Sequence, residues 1–424
     1  MKGKPQRFPA ETADIKHFVS GLKQRNDHYL HSINDLDAPV DIDILKRAVF
    51  DTFASLPLLR CRFVYTDEKA WWEDAGWTEA DMIHLVNTDN KAEAIQQQLT
   101  VHLNEQEGPQ IALSVIRGSG GDTLTIVMNH MVCDGGGIRD YLYLLASSYT
   151  SAQQGDELAS NCIPPRGRRS FQQVFDHLST DQLKAVQAAA VDHYPQSAQD
   201  HLPLQGDPNH PFLIHHRIPP ERFLSIKNRA KQMNATINDA LFAAYICAIA
   251  DVLSVEQIVL DCPVNARAYL PKDYQSGFCN LTTNIICAIP AHHGECFDEA
   301  LKSVKKVMDE QKDSLTPLKV YWDLDQAYDT LPLKEAINEF TNIYKIPING
   351  MTNIGILDAA KLCFGSIRAI DASISGSIKY APYFQIAVTT FNQAMTFSTN
   401  FHGTEKDYAF LDGFVKKMIS YFPE

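Results

Sequence analysis

The chain has 424 residues, 45% of them hydrophobic and 21% charged, and a formal charge of -13. That length exceeds one ordinary core, so two domains of about 200 residues each are expected. The charge argues against nucleic acid as a partner, and no run of about 18 apolar residues offers a membrane span.

The opening MKGKPQRFPAETADIKHF lacks the apolar core of a secretory signal. The nine cysteines are scattered, several in apolar runs, which fits reduced thiols and a cytoplasmic location. HYLHSIN reads as a strand. Asp41 has the character of an N-cap for DIDILKRAVFDTFASL, whose Ile44, Leu45, Ala48, Val49, Phe53 and Leu56 share one helical face. Pro57 is expected to end that helix, with LLRCRFVY following as a strand. MIHLV is a short strand and KAEAIQQQLTVHLN a helix. IALSVIR and TLTIVMN flank GSGGD and form a hairpin. Glycines 135 to 137 break the second run before the helix IRDYLYLLASSY.

From Ser151 to Pro220 the periodicity weakens, apart from the helix DQLKAVQAAAVDHY. This region is read as the crossover between halves. Thr236 and Asp239 have capping-box spacing ahead of ALFAAYICAIADVL, a helix apolar nearly all round. QIVLDCPVNAR is a strand running into a loop. LTTNIICAIP, GMTNIGIL, IRAIDASI, FQIAVTTFN and AMTFSTNFH are further strands. CFDEALKSVKKVMDEQKD and YAFLDGFVKKMISYF are helices. A hairpin followed by a helix therefore occurs in each half, a weak topological echo of duplication.

The chemistry concentrates in NHMVCDGGG. His130 follows the strand TLTIVMN, which fixes its position, and precedes a glycine run, which gives access. Histidine has the unperturbed pKa, about 6.5, that suits a general base near neutrality. Asp134 either pairs with His130 or points away and pins the loop to an arginine. A histidine after a strand is more often structural than catalytic, so the spacing alone does not decide. Metal binding is the weaker reading, because His130, Cys133 and Asp134 have no second cluster of ligand spacing; the metal assignment is none. His215-His216 and His292-His293 read as surface features. Cys133 sits beside an acid that disfavours its thiolate, and there is no GxSxG elbow.

These residues resemble the HHxxxDG motif of the CoA-dependent acyltransferase superfamily, which includes chloramphenicol acetyltransferase, condensation domains of peptide synthetases, alcohol acetyltransferases and polyketide-associated acyltransferases. LKRAVFDTFASLPLLRCRF, ATINDALFAAYICAIA, CPVNARAYLP and MTNIGILD are similar to further family segments in the same order. The resemblance implies an α/β fold of two chloramphenicol-acetyltransferase-like lobes, each a mixed sheet with flanking helices, and an active-site tunnel between them. The N-terminal lobe is expected over residues 1–175 and the C-terminal lobe over 176–424.

His130 matches the motif's catalytic histidine, Asp134 its structural aspartate, Gly135 its glycine, and Arg267 the arginine that pairs with the aspartate from the other lobe. Asn129 stands where the motif has its first histidine, and is expected to serve as a structural residue. Thr352 and Asn353 are placed near the tunnel as substrate-binding candidates, with packing an equal alternative.

The implied activity is acyl transfer from a CoA thioester to a hydroxyl or amine, with no acyl-enzyme and no bound cofactor. Coenzyme A enters only as co-substrate. The partners are a small-molecule donor and acceptor, or an acyl or peptidyl carrier protein. A condensation-type protein working on carrier-bound substrates and a non-catalytic thioester- or partner-binding member of the fold are the alternatives. A donor's phosphate would meet Arg166, Arg168 and Arg169, or Lys227, Arg229 and Lys231, although an ordinary solvated surface explains both clusters as well. Trp71 and Trp72 line an acceptor pocket or, more commonly for such residues, pack in the core.

Overall fold

The computed structural model describes residues 5–156, 167–190, 201–253, 255–311, 314–345 and 347–424. Arg166 and the end of the DQLKAVQAAAVDHY segment lie outside them. Among the described residues the strands form a six-stranded sheet, a seven-stranded sheet and a small three-stranded sheet.

The six-stranded sheet is built on Tyr29–Leu36, which pairs with Thr123–Asn129. Thr123–Asn129 and Ile111–Arg117 make the expected hairpin, and Ile83–Asn87 adds in parallel at the edge. The strand beyond Tyr29–Leu36 is Ile367–Ser375, from the far end of the chain. A division at residue 175 therefore does not partition the sheets, because the C-terminal half lends a strand to the N-terminal lobe. The seven-stranded sheet runs Thr282–Pro290, Gln257–Asn265, Asn349–Leu357, Phe384–Phe391 and Ala394–His402. The short strand Lys379–Tyr380 and the strand Pro211–Ile218 both pair with Ala394–His402. Each large sheet is mixed, with its own apolar core. One core gathers around Trp72, Leu113, Ile126 and Tyr141, the other around the helix Ile237–Val252.

Local signals account for most element starts. The Asp41 carboxylate accepts from the backbone of Asp43 and Ile44, capping Ile42–Thr52. That helix stops at Thr52, short of Pro57, which instead opens a 3-10 turn, Pro57–Arg60. The turn takes up part of the expected strand, which begins at Cys61. Thr236 and Asp239 form a reciprocal capping box on Ile237–Val252.

The glycine run is the main local correction. Gly135 to Gly137 are the first turn of the helix Gly135–Gln154, capped by Asp134. Glycine is a poor helix former, but a Cβ on Gly137 would lie 2.5 Å from the Cβ of Cys133. The close approach of loop and helix requires its absence. Elements without strong sequence signals include the helices Thr12–Leu22, Pro220–Gln232, Thr316–Thr330 and Leu333–Ile343. No single described helix is long and apolar enough to cross a membrane; a bent pair, Pro220–Gln232 with Ile237–Val252, passes by length and composition only.

The capping box is open to a simple check. Thr236→Ala should lower the unfolding free energy by about 1 kcal/mol, and Thr236→Ser by much less, in urea denaturation followed by circular dichroism.

Candidate active site between the lobes

The turn after Thr123–Asn129 carries His130 to the seam of the two lobes. Asn129 itself is fully buried. Its amide donates to Gln110 Oε1 at 2.7 Å and its carbonyl oxygen accepts from the Met131 backbone at 2.9 Å. It closes the turn and does not reach the cleft. The His130 backbone N–H donates to the His28 carbonyl at 2.8 Å. The backbone of the turn is thus fixed on both sides of the imidazole.

Asp134 fastens the turn to the second lobe. Its carboxylate, 1% exposed, accepts from Gly137 N at 2.9 Å, Arg267 Nη1 at 2.8 Å, Leu281 N at 2.8 Å and Thr282 Oγ1 at 3.2 Å. Of the two readings left open by the sequence, the geometry takes the second: Asp134 pins the loop to Arg267. Burial alone would raise its pKa. The guanidinium and the backbone donors outweigh that and hold it below the ordinary aspartate value. Arg267 also donates to the Cys279 carbonyl at 3.1 Å, so the whole junction is hydrogen-bonded.

Asn280, between Arg267's partner Cys279 and the strand Thr282–Pro290, was not singled out by the sequence. Its amide nitrogen donates to the His130 and Met131 carbonyls at 2.8 and 3.2 Å. That assigns its oxygen to the other side, 3.2 Å from His130 Nδ1. Nδ1 therefore faces an acceptor and must carry the proton, which leaves Nε2 as the lone-pair nitrogen. Nε2 has no protein partner among the described residues, and the ring lines a cleft of about 180 Å³.

The cleft walls come from both lobes: Lys16, His17 and Asn26 on one side, Asp261, Asn284, Thr352 and Lys379 on the other. The His17 ring stacks on His130, with centroids 3.9 Å apart and planes inclined by 18°. Burial lowers the His130 pKa to about 4, with the Lys16 and Lys379 charges acting in the same direction. Burial, followed by His130 and Lys16, pushes His17 down as well. Both imidazoles are neutral at pH 7.

Gly135 lines the cleft, and a Cβ there would lie 3.0 Å from the Ile354 side chain across the seam. Thr352 and Asn353 line it too, but Asn353 is exposed and its side-chain oxygen accepts from Gly355 N at 3.0 Å, supporting a bulge in its strand. The remaining candidates fall elsewhere. Trp72 is fully buried, with its indole N–H 2.8 Å from Asp14. Neither Trp71 nor Trp72 lines the cleft. Arg168 pairs with Asp176, Arg169 with Asp14 and Arg229 with Asp298, so carboxylates already occupy them.

His215 is half-buried, hydrogen-bonded to Ser398 and held neutral by burial, whereas His216 pairs with Asp412. Cys133 is buried and its thiol is pushed well up by burial and then by Asp134. A larger groove of about 890 Å³, bounded by Phe8, Phe50, Phe53 and Phe278, has no histidine in its wall. Among the described residues no group of three or more acidic, histidine or cysteine side chains could hold a metal ion.

No family model matches the chain, and no curated protein is detectably similar to it in sequence. Solved structures are similar across the whole chain. The first condensation domain of the CDA synthetase superposes with a TM-score of 0.71 at 15% identity, covering 98% of this chain and 96% of that one. The TRI3 trichothecene 15-O-acetyltransferase from Fusarium sporotrichioides gives 0.70 at 14% identity, over 100% and 96%. Polyketide synthase associated protein 5 from Mycobacterium tuberculosis gives 0.67 at 13% identity, over 98% and 96%. The chain has their two-lobed, chloramphenicol-acetyltransferase-like fold.

The Asp134 junction predicts a stability change. Arg267→Met leaves a buried carboxylate without its cation and should cost about 3 kcal/mol in urea unfolding at pH 7. The lowered Asp134 pKa stabilises the fold above the unfolded value, about 3.9, and that contribution is lost as pH falls through the folded value. The acid dependence of stability below about pH 5 should therefore be shallower in Arg267→Met than in the wild type.

Proposed function

We propose that the protein is an acyltransferase that moves an acyl group from a thioester to a hydroxyl or amine, with His130 as general base. One observation carries this reading: an imidazole whose Nδ1 is engaged by Asn280 and which lines a cleft built by both lobes. In the reaction, Nε2 takes the acceptor's proton as its oxygen or nitrogen attacks the thioester carbonyl. A tetrahedral oxyanion forms. Its collapse breaks the carbon–sulfur bond, and Nε2 gives its proton to the departing thiolate, which restores the neutral base. The acyl group passes directly between substrates, so no protein nucleophile is required, and the buried Cys133 thiol takes no part.

A pKa of about 4 makes His130 a weak base in the free protein. The imbalance is relieved in the transition state, where the oxyanion develops beside the new imidazolium and the two charges stabilise each other in a dry site. The Asn280 oxygen accepts Nδ1–H throughout, which fixes the tautomer. Asp134, Gly135 and Arg267 hold the turn.

Coenzyme A is the proposed donor carrier, used as a co-substrate and not as a bound cofactor. The second reading is a condensation-type protein with a carrier-bound donor. The condensation-domain neighbour supports it as much as the acetyltransferase neighbour supports the first. A cytoplasmic setting accords with the reduced cysteines, every one of which is free among those described.

Thiol release from acetyl-CoA and longer acyl-CoAs, with simple alcohols or amines present, tests the reading. His130→Ala should lose at least a hundredfold, while Asn129→Ala, if folded, should retain most of the rate. The acid limb of kcat/KM should have its midpoint near pH 4, because the base stays neutral down to that value. Full activity in His130→Ala contradicts the assignment, whereas a limb near pH 6.5 contradicts only the lowered pKa. Turnover only with acylated carrier protein moves the donor to the second reading.

A further inference from the structure

The charge on the cleft wall is opposite to that of the chain. The protein carries a formal -13, yet the charged groups lining the cleft are Lys16, Lys379, Arg139 and Arg267 against the single carboxylate of Asp261. Two of these cations are already matched, Arg267 by Asp134 and Arg139 by the neighbouring Asp140. Lys16 and Lys379 are not. Neither makes an ion pair of 4.0 Å or less among the described residues.

Lys16 is only 3% exposed. Its ammonium lies over the Tyr321 and Tyr344 rings, 4.7 and 5.1 Å from their centroids. Those rings hold it by cation–π attraction without neutralising it. Asp261 is the one carboxylate of the cleft wall that both lysines feel, and its Oδ1 accepts the Asn284 amide at 2.5 Å; Asp27, behind Lys379, accepts the Tyr29 and Ile378 backbone N–H groups. Burial brings both lysines down to about 8, against the opposing pull of Asp261 on both, of Asp134 on Lys16 and of Asp27 on Lys379. An unpaired buried cation is costly and is retained where a ligand completes it.

We propose that the cleft holds a substrate carboxylate between the Lys16 and Lys379 ammoniums, next to His130. The subsite does not serve the phosphates of a thioester donor. A pantetheine arm separates those phosphates from the reacting carbonyl, whereas both lysines lie close enough to His130 to depress its pKa. The carboxylate belongs to a reacting partner: a dicarboxylic acyl group or a carboxylate-bearing acceptor such as a hydroxy or amino acid. The binding claim stands on the lysines alone, and its consequence for specificity rests on the acyl-transfer reading.

The test separates the two. Calorimetric titration of the full chain uses glutarate and lactate as carboxylate probes, with glutaramide and lactamide as uncharged counterparts. At least one carboxylate should bind the wild type. Its affinity should fall about tenfold or more in Lys16→Met and in Lys379→Gln, each checked for folding by circular dichroism. Thiol release then assigns the source, by comparing glutaryl-CoA with butyryl-CoA and lactate with lactamide as acceptor. The arm whose preference collapses in Lys379→Gln carries the carboxylate. No binding by either carboxylate, equal binding by the amides, or affinity unchanged in both lysine variants overturns the subsite. Lysine-dependent binding without turnover of any thioester keeps the subsite and removes acyl transfer.

Discussion

The structure depends on one buried carboxylate. Asp134 caps the helix Gly135–Gln154 with one oxygen, and with the other it takes Arg267, Leu281 and Thr282 from the opposite lobe. A charge so buried is tolerable only when its hydrogen-bonding capacity is filled. Here the donors come from both sides of the seam, so the requirement fixes where the lobes meet. The exchanged strand Ile367–Ser375 adds a second tie by pairing across to Tyr29–Leu36. His130 lies four residues before Asp134, on a turn with little freedom left. Its position in the cleft follows from a junction it does not itself make.

Asn280 converts that position into a chemical state. It lies on the segment that Asp134 grips through the backbone of Leu281, and from there its amide clamps the turn's carbonyls and its oxygen meets Nδ1. The tautomer is therefore set by the same interface that sets the position. Stacked His17 covers one face of the ring, which leaves the Nε2 edge as the reactive approach.

Much of this was legible from residues with local consequences. The Asp41 cap, the Thr236–Asp239 box, the hairpin into His130 and the buried helix Ile237–Val252 all follow from short-range spacing, and the structure has them. The echo between halves is also real in topology: Phe384–Phe391 and Ala394–His402 make an antiparallel hairpin that leads into the capped helix Glu405–Tyr421. His402, at the equivalent strand end, is buried and stacked on Tyr380 at 4.0 Å. What escaped was long-range. Nothing near Ile367 says that its strand crosses to the first lobe. Nothing near Asn280 names a partner 150 residues earlier. Lys16 and His17 sit in Thr12–Leu22, read only as a segment lacking a signal's apolar core, so their part of the cleft wall was missed. The glycine run misled for a related reason: intrinsic propensity says break, and the contact with Cys133 and the Asp134 cap override it.

The account turns on the protonation state of one nitrogen. Nitrogen-15 NMR of protein with labelled histidine, with His130 assigned from the signal lost in His130→Gln, reads that state directly. A neutral ring with the proton on Nδ1, unprotonated at Nε2 and titrating near pH 4, is the predicted result. A proton on Nε2, or a titration near the ordinary histidine value of about 6.5, would contradict it.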